Sequence, residues 1–259
     1  MTAVPVSYTS TGPADAPVVV LSNSLGATRG MWDPQVPALA ERYRVISYDA
    51  RGHGRSPAPD GPYSIDDLVD DVVALLDELG AERAHVVGLS LGGMTALRLA
   101  AREPGRVDRL AVLCTSAKAE PGPFLERAAA VRAGGTAPLA PAIAARWLTP
   151  GFAVANPDLV GRLEAMIAGA DDAGYAACCE VVADLDLRAD LARISAPTLV
   201  VSGADDAALP PEHQQAIAEG IAGSELLTVQ PGAHLANLEQ PEQITAALLA
   251  HLDASGGAR

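Results

Sequence analysis

Residues 85–93 read His85-Val86-Val87-Gly88-Leu89-Ser90-Leu91-Gly92-Gly93. The stretch begins with a short apolar run, His85 to Val87, of the kind that makes a buried strand. It ends by opening a helical pattern, Leu91 to Arg102, which Pro104 stops. A serine on so sharp a strand-to-helix turn stands in strained backbone, so glycines must flank it. Gly88 and Gly92 do, and Gly93 extends the room. The hydroxyl then sits at a helix N-terminus, where backbone N–H groups and the dipole favour developing negative charge. A serine between glycines can also be a plain turn. The strand before it and the helix after it favour a nucleophile elbow, with Ser90 as the nucleophile.

Outward from the elbow, further apolar runs rich in Val, Ile and Leu occur at Val18 to Leu21, Val45 to Tyr48, Leu110 to Leu113 and Thr198 to Val201. Strands buried on both faces of a parallel sheet have this composition. A last strand is expected at Glu225 to Val229. Between the runs lie helical patterns. Ser64 suits the N-cap of Ile65 to Leu79, whose apolar residues recur with helical period before Gly80 ends it. Pro211 to Glu219 and Pro241 to His251 each start with proline and continue as helix. Alternating strands and helices predict an α/β fold with a mostly parallel, doubly wound sheet.

From about Lys118 to Leu187 the alternation stops. Ala-rich helical pieces are separated by Gly134-Gly135, Pro138, Pro141, Pro150-Gly151 and Pro157. Roughly 70 residues is far more than a crossover connection needs. The expectation is therefore a core domain formed by 1–117 and 188–259, with 118–187 inserted as a helical cap. The tail Ser255-Gly256-Gly257-Ala258-Arg259 reads as disordered.

The chain has 259 residues, 49% of them hydrophobic, enough for one large α/β domain. No apolar run is long enough to span a bilayer, and Met1 to Gly12 lack the features of a signal peptide. Three cysteines, two of them adjacent at Cys178 and Cys179, make a poor disulfide framework and suit a reducing cytoplasm. They read as buried small apolar residues. A formal charge of −14 argues against a nucleic-acid partner. It also means that an anionic substrate needs a local cation.

A serine nucleophile needs a base, and the base needs an acid to hold it. Of five histidines, His85 begins a strand, and His213 and His251 lie in helices where solvation or packing is the plainer role. His53, in a Gly-rich loop, could approach the site. His234 follows the last strand in Gly232-Ala233-His234-Leu235, at a strand's carboxyl end, where open α/β sheets build their sites. The acid is expected between Ser90 and His234 in chain order. Asp205 and Asp206, after the strand Thr198 to Val201, both qualify on position. For the oxyanion hole, one donor is the N–H of Leu91, the residue after the nucleophile. The other is expected from Leu25 in the loop Ser22-Asn23-Ser24-Leu25-Gly26.

Tyr48-Asp49-Ala50-Arg51-Gly52-His53-Gly54-Arg55-Ser56 resembles the D-x-R-G-H-G-x-S signature of the α/β-hydrolases. Members usually carry His-Gly where this chain has Asn23-Ser24. Within that family the chain looks most similar to the 3-oxoadipate enol-lactonases. The resemblance lies in Leu21 to Gly26, Met31-Trp32-Asp33, Gly88 to Met94, Arg146-Trp147, Gly174 to Cys179, and Ala233 to Pro241. It implies the α/β-hydrolase fold and assigns the acid to Asp206, leaving Asp205 facing solvent. It also implies that Arg146 and Trp147 meet the substrate, an anionic lactone or ester; ordinary cap packing and a surface charge are their plainer readings. An enol-lactone is a cyclic ester, so side chains and backbone suffice for its hydrolysis. No cofactor and no metal are expected, and the Asp and His residues show no H-E-x-x-H spacing. The same residues would serve a general carboxylesterase, a C–C bond hydrolase or a cofactor-free perhydrolase. A fold of this kind can also act as a small-molecule receptor with little turnover.

Overall fold

Seven strands form one sheet in this computed structural model, which describes residues 2–254. The strands are β1 (Tyr8–Thr11), β2 (Val18–Ser22), β3 (Arg44–Tyr48), β4 (Ala84–Leu89), β5 (Val107–Leu113), β6 (Thr198–Gly203) and β7 (Glu225–Val229). They lie in the order β1-β3-β2-β4-β5-β6-β7. Strands β2 to β7 pair in parallel, and β1 joins the edge antiparallel, with Tyr8 opposite Tyr48. The mostly parallel α/β sheet expected from the apolar runs is present. Strand β1 was not among the expected strands; its sequence, Tyr-Thr-Ser-Thr, is polar and lies largely exposed at the edge.

The helices are α1 (Val36–Leu39), α2 (Ile65–Glu78), α3 (Leu91–Arg102), α4 (Pro121–Gly134), α5 (Ala140–Ala144), α6 (Pro150–Ala155), α7 (Pro157–Ala168), α8 (Asp172–Asp184), α9 (Pro211–Gly220), α10 (Ala236–Glu239) and α11 (Pro241–Asp253). Helix α2 begins with a reciprocal cap: the Asp67 N–H donates to Ser64 Oγ at 3.2 Å, and the Ser64 N–H to Asp67 Oδ2 at 2.8 Å. Its apolar face packs on α3, which in turn lies against β4, β5 and β2. Helices α4 to α8 all fall between β5 and β6, with α4 packed on α8 and α5 on α7. Cys114, Cys178 and Cys179 are buried free thiols, and burial pushes each of them up from its ordinary pKa. Among the described residues no helix is long and apolar enough to cross a membrane. The tail 255–259, read above as disordered, lies outside the described residues.

Parallel pairing brings the carboxyl ends of six strands, β2 to β7, to one edge, and five of them lead into the residues of interest. The loop Asn23 to Gly26 follows β2, Ser90 follows β4, Cys114 to Ser116 follow β5, Asp205 and Asp206 lie just past β6, and His234 lies past β7.

Candidate active site

Ser90 occupies the turn between β4 and α3 with φ 56° and ψ −117°, one of two non-glycine residues with positive φ among those described. Such backbone costs of order 1–3 kcal/mol and persists only where its surroundings dictate it. Here they do. A Cβ on Gly88 would lie 2.2 Å from the Gly92 carbonyl oxygen, and one on Gly92 would lie 2.2 Å from the Ser22 carbonyl oxygen. The Ser90 N–H donates to the Leu113 carbonyl at 3.0 Å, and Thr115 Oγ1 donates to the Ser90 carbonyl at 2.6 Å. The elbow is thus tied to the end of β5.

His234 and Asp206 meet. His234 Nδ1 lies 2.9 Å from Asp206 Oδ2, and both side chains are buried. A carboxylate only accepts, so Nδ1 carries a proton, and in the neutral ring the lone pair is on Nε2. Asp206 Oδ1 accepts the N–H groups of Ala208 and Leu209 at 2.8 and 3.0 Å, which fixes the carboxylate plane. Asp205 is exposed, and its Oδ2 accepts the Gly232 N–H at 3.1 Å, two residues before His234. Adjacent aspartates therefore do different work: one touches the imidazole, the other holds the turn that leads to it.

Ser90, His234, Leu25, Arg146 and Trp147 line one cavity of about 290 Å³. Leu91 is buried behind Ser90, and its N–H opens α3. Among the described residues neither the Leu25 nor the Leu91 N–H has a hydrogen-bond acceptor. The Leu25 loop is held from both sides. The Gly92 N–H donates to the Asn23 carbonyl at 2.9 Å, and the Gly26 N–H donates to His53 Nε2 at 2.8 Å. His53 Nδ1 in turn lies 3.0 Å from the Arg51 carbonyl. Both ring nitrogens of His53 are taken up by backbone, and burial lowers its pKa, which keeps the ring neutral. His53 therefore supports the Leu25 loop and is not free to act as a base. The rest of the D-x-R-G-H-G-x-S stretch is scaffold: buried Arg51 pairs with Asp71 at 2.7 Å, and Asp49 pairs with Arg29 at 3.0 Å.

His85 stacks edge-on against Tyr43, and His251 Nε2 lies 3.0 Å from the Leu110 carbonyl. His213, read from sequence as a solvated or packing residue, instead lines the cavity, with Nδ1 2.8 Å from Ser116 Oγ. Arg146 is exposed at the rim and donates from Nη2 to the Ala207 carbonyl at 2.6 Å. Trp147 is buried at 4% exposure, so its ring packs in the wall it lines. Sequence reasoning passed over Arg127, a half-buried cation on α4 that also lines the cavity and lies 5.3 Å from the Phe124 ring. Among the described residues neither Arg127 nor Arg146 has a carboxylate partner.

Comparison with known proteins agrees with this architecture. Residues 17–241 match the family model described as the alpha/beta hydrolase fold. The chain belongs to the alpha/beta hydrolase family. It is 42% identical to 3-oxoadipate enol-lactonase 2 of Acinetobacter baylyi, over 92% of this chain and 90% of that protein. The crystal structure of the enol-lactonase from Burkholderia xenovorans superposes with a TM-score of 0.94 at 38% identity, covering 95% of this chain and 96% of the other. A Stutzerimonas stutzeri relative named for carbamate hydrolysis is 32% identical over 92% of each chain.

Proposed function

We propose that this chain is a serine hydrolase that opens 3-oxoadipate enol-lactone to 3-oxoadipate. The observation that carries the proposal is the shared cavity, which joins Ser90 and the Asp206-held His234 to two cationic side chains without carboxylate partners. In this reading Ser90 attacks the lactone carbonyl while His234 Nε2 takes its proton. Asp206 keeps the imidazole in the required tautomer and stabilises the imidazolium. The N–H groups of Leu25 and Leu91 receive the oxyanion; each such donor is worth about 3 kcal/mol of barrier. The ring C–O bond breaks and the enolate takes the proton from His234, while the acyl chain remains on Ser90. His234 then activates water, the acid is released, and the enol becomes a ketone. Every step uses side chains and backbone, with no cofactor or metal.

Helices α4 to α8 act as the cap, a role supported by the Phe124, Arg127, Ile143, Arg146 and Trp147 side chains they and their connections bring to the cavity. Arg146 or Arg127 offers a guanidinium to the lactone's free carboxylate. Three buried free cysteines suit a reducing cytoplasm as its location.

The test is turnover of the enol-lactone, followed by loss of its ultraviolet absorbance, beside a neutral activated ester, a carbamate and a peracid-forming assay. The expected result is a kcat/KM for the lactone well above the rest. If the ester is hydrolysed and the lactone is not, the substrate assignment falls and a general carboxylesterase replaces it. If nothing is turned over, the chain is a receptor.

A further inference from the structure

Glu239 is a buried carboxylate that this mechanism does not use. It sits at the end of α10, five residues after His234, at 6% exposure. Its Oε1 accepts both the N–H and the Oγ–H of Thr149, each at 2.7 Å. Its Oε2 accepts the Ala233 N–H. Three donors and no acceptor suit an acceptor-only carboxylate, and charge-assisted bonds of this kind are about twice as strong as neutral ones.

What these donors belong to gives the contact its meaning. Ala233 immediately precedes His234. Thr149 is the N-cap residue of α6, two residues after Trp147 and three after Arg146. On the other side of the histidine, the Leu235 N–H donates to the Trp147 carbonyl at 2.8 Å. Both neighbours of His234 are therefore fastened to the corner Trp147 to Thr149, one directly and one through Glu239. That corner belongs to the helical segment between β5 and β6 and presents Trp147 to the cavity. The Ala233 carbonyl, in turn, accepts a weak bond from Cys114 Sγ at 3.6 Å, so the same residue also touches the chain just past β5.

We propose that Glu239 is a positioning residue, a brace that sets His234 against Ser90 and couples its position to the Trp147 corner of the substrate cavity. Removing it loosens the histidine without altering a group that contacts substrate. The loss then falls on kcat for any ester, whatever its charge, because proton transfer tolerates little misplacement. The inference rests on the Ser90 and His234 roles given above and not on the identity of the lactone.

Glu239→Gln keeps the shape but turns one oxygen into a donor that must face an N–H. The experiment is kcat on a neutral activated ester, divided by the number of serines titrated with an irreversible serine reagent. For Glu239→Gln the expected result is about tenfold lower kcat per titrated site. Thr149→Val removes one donor from Glu239 and is expected to lower kcat about threefold, although Thr149 does not line the cavity. An unchanged kcat per titrated site in folded Glu239→Gln overturns the proposal, even if fewer molecules are competent, because the residue then only stabilises the fold. If Glu239→Gln does not fold, Thr149→Val decides alone: a lower kcat supports the brace and an unchanged one overturns it. Failure to titrate any serine in the unmodified protein would refute the Ser90 reading itself, a separate outcome.

Discussion

The floor of the cavity and its roof are built differently. On the floor, position is dictated by backbone. Ser90 is held in positive-φ backbone between glycines that leave no room for a Cβ, and its carbonyl is gripped by Thr115. Asp206 is fixed by two N–H groups and fixes His234 in turn. In the roof, Phe124 and Arg127 come from α4 and Ile143 from α5, and the exposed Arg146 is held by a single carbonyl. The floor specifies a reaction and leaves little to vary. The roof is a set of exchangeable side chains. Chemistry and substrate choice should therefore separate under mutation, with floor changes acting on kcat for every substrate and changes at the roof arginines on KM for some.

The largest effect is expected at Ser90, the proposed nucleophile. Ser90→Ala should lower ester and lactone hydrolysis by about 10⁶-fold, with an unchanged thermal unfolding midpoint measured in parallel. Near-normal turnover by the folded variant would break the distinction at its root. The two aspartates sharpen it. Asp206→Asn should lower kcat by about 10³- to 10⁴-fold on all substrates, since an amide can hold the imidazole in the wrong tautomer. Asp205→Asn should cost only about tenfold or less, because it loosens the Gly232 turn and leaves Nδ1 its partner. Kinetics of both variants on one neutral ester decide it, and a larger loss at Asp205 would move the acid by one residue.

His53→Ala tests whether the floor extends to residues outside the cavity. It removes the acceptor for the Gly26 N–H and frees the loop that carries Leu25. A loss of about tenfold in kcat is expected, with little change in KM, as for a weakened oxyanion donor. If KM rises while kcat holds, the loop binds substrate and does not stabilise the transition state.

The same division explains what the sequence made legible. Strands buried on both faces announce themselves as runs such as Val18 to Leu21, and the elbow's glycines are visible because backbone geometry admits few other residues there. Strand β1 was hidden because an edge strand of Tyr-Thr-Ser-Thr buries almost nothing. Asp205 and Asp206 stayed equivalent by spacing, since the turn of N–H groups that selects Asp206 exists only in three dimensions. The roof was least legible. Helix α8 is buried along most of its length, from Gly174 to Cys179 and at Val181 and Val182, so no periodic stripe marks its inner face. Helix α4 buries only Ala128 and Val131, so nothing in its pattern singles out Arg127. His213 likewise looks like any polar helical residue until α9 is folded beside Ser116.

The most specific effects, down to the smallest, concern the two roof arginines. The carboxylate of the proposed lactone, entering a cavity of about 290 Å³ in a chain of net charge −14, would lose hydration and need a cation. Arg146 is exposed and already donates to the Ala207 carbonyl, so much of its charge is screened by water. Arg127 is half-buried beside Phe124, where a guanidinium is less hydrated and its attraction less screened. A contact that forms on binding and persists through ring opening acts as uniform binding, so it belongs in KM. Arg127→Ala should therefore raise KM for the anionic lactone about tenfold, and Arg146→Ala about threefold, with kcat nearly unchanged. A neutral ester has no carboxylate, and its KM should hold in both variants. Kinetics on the two substrates give four values of KM. Equal losses on both substrates would make the arginine a support of cap structure, and the roof would then join the floor as scaffold. A larger loss at Arg146 than at Arg127 would put the carboxylate at the rim, with the rest of the lactone pointing inward from it.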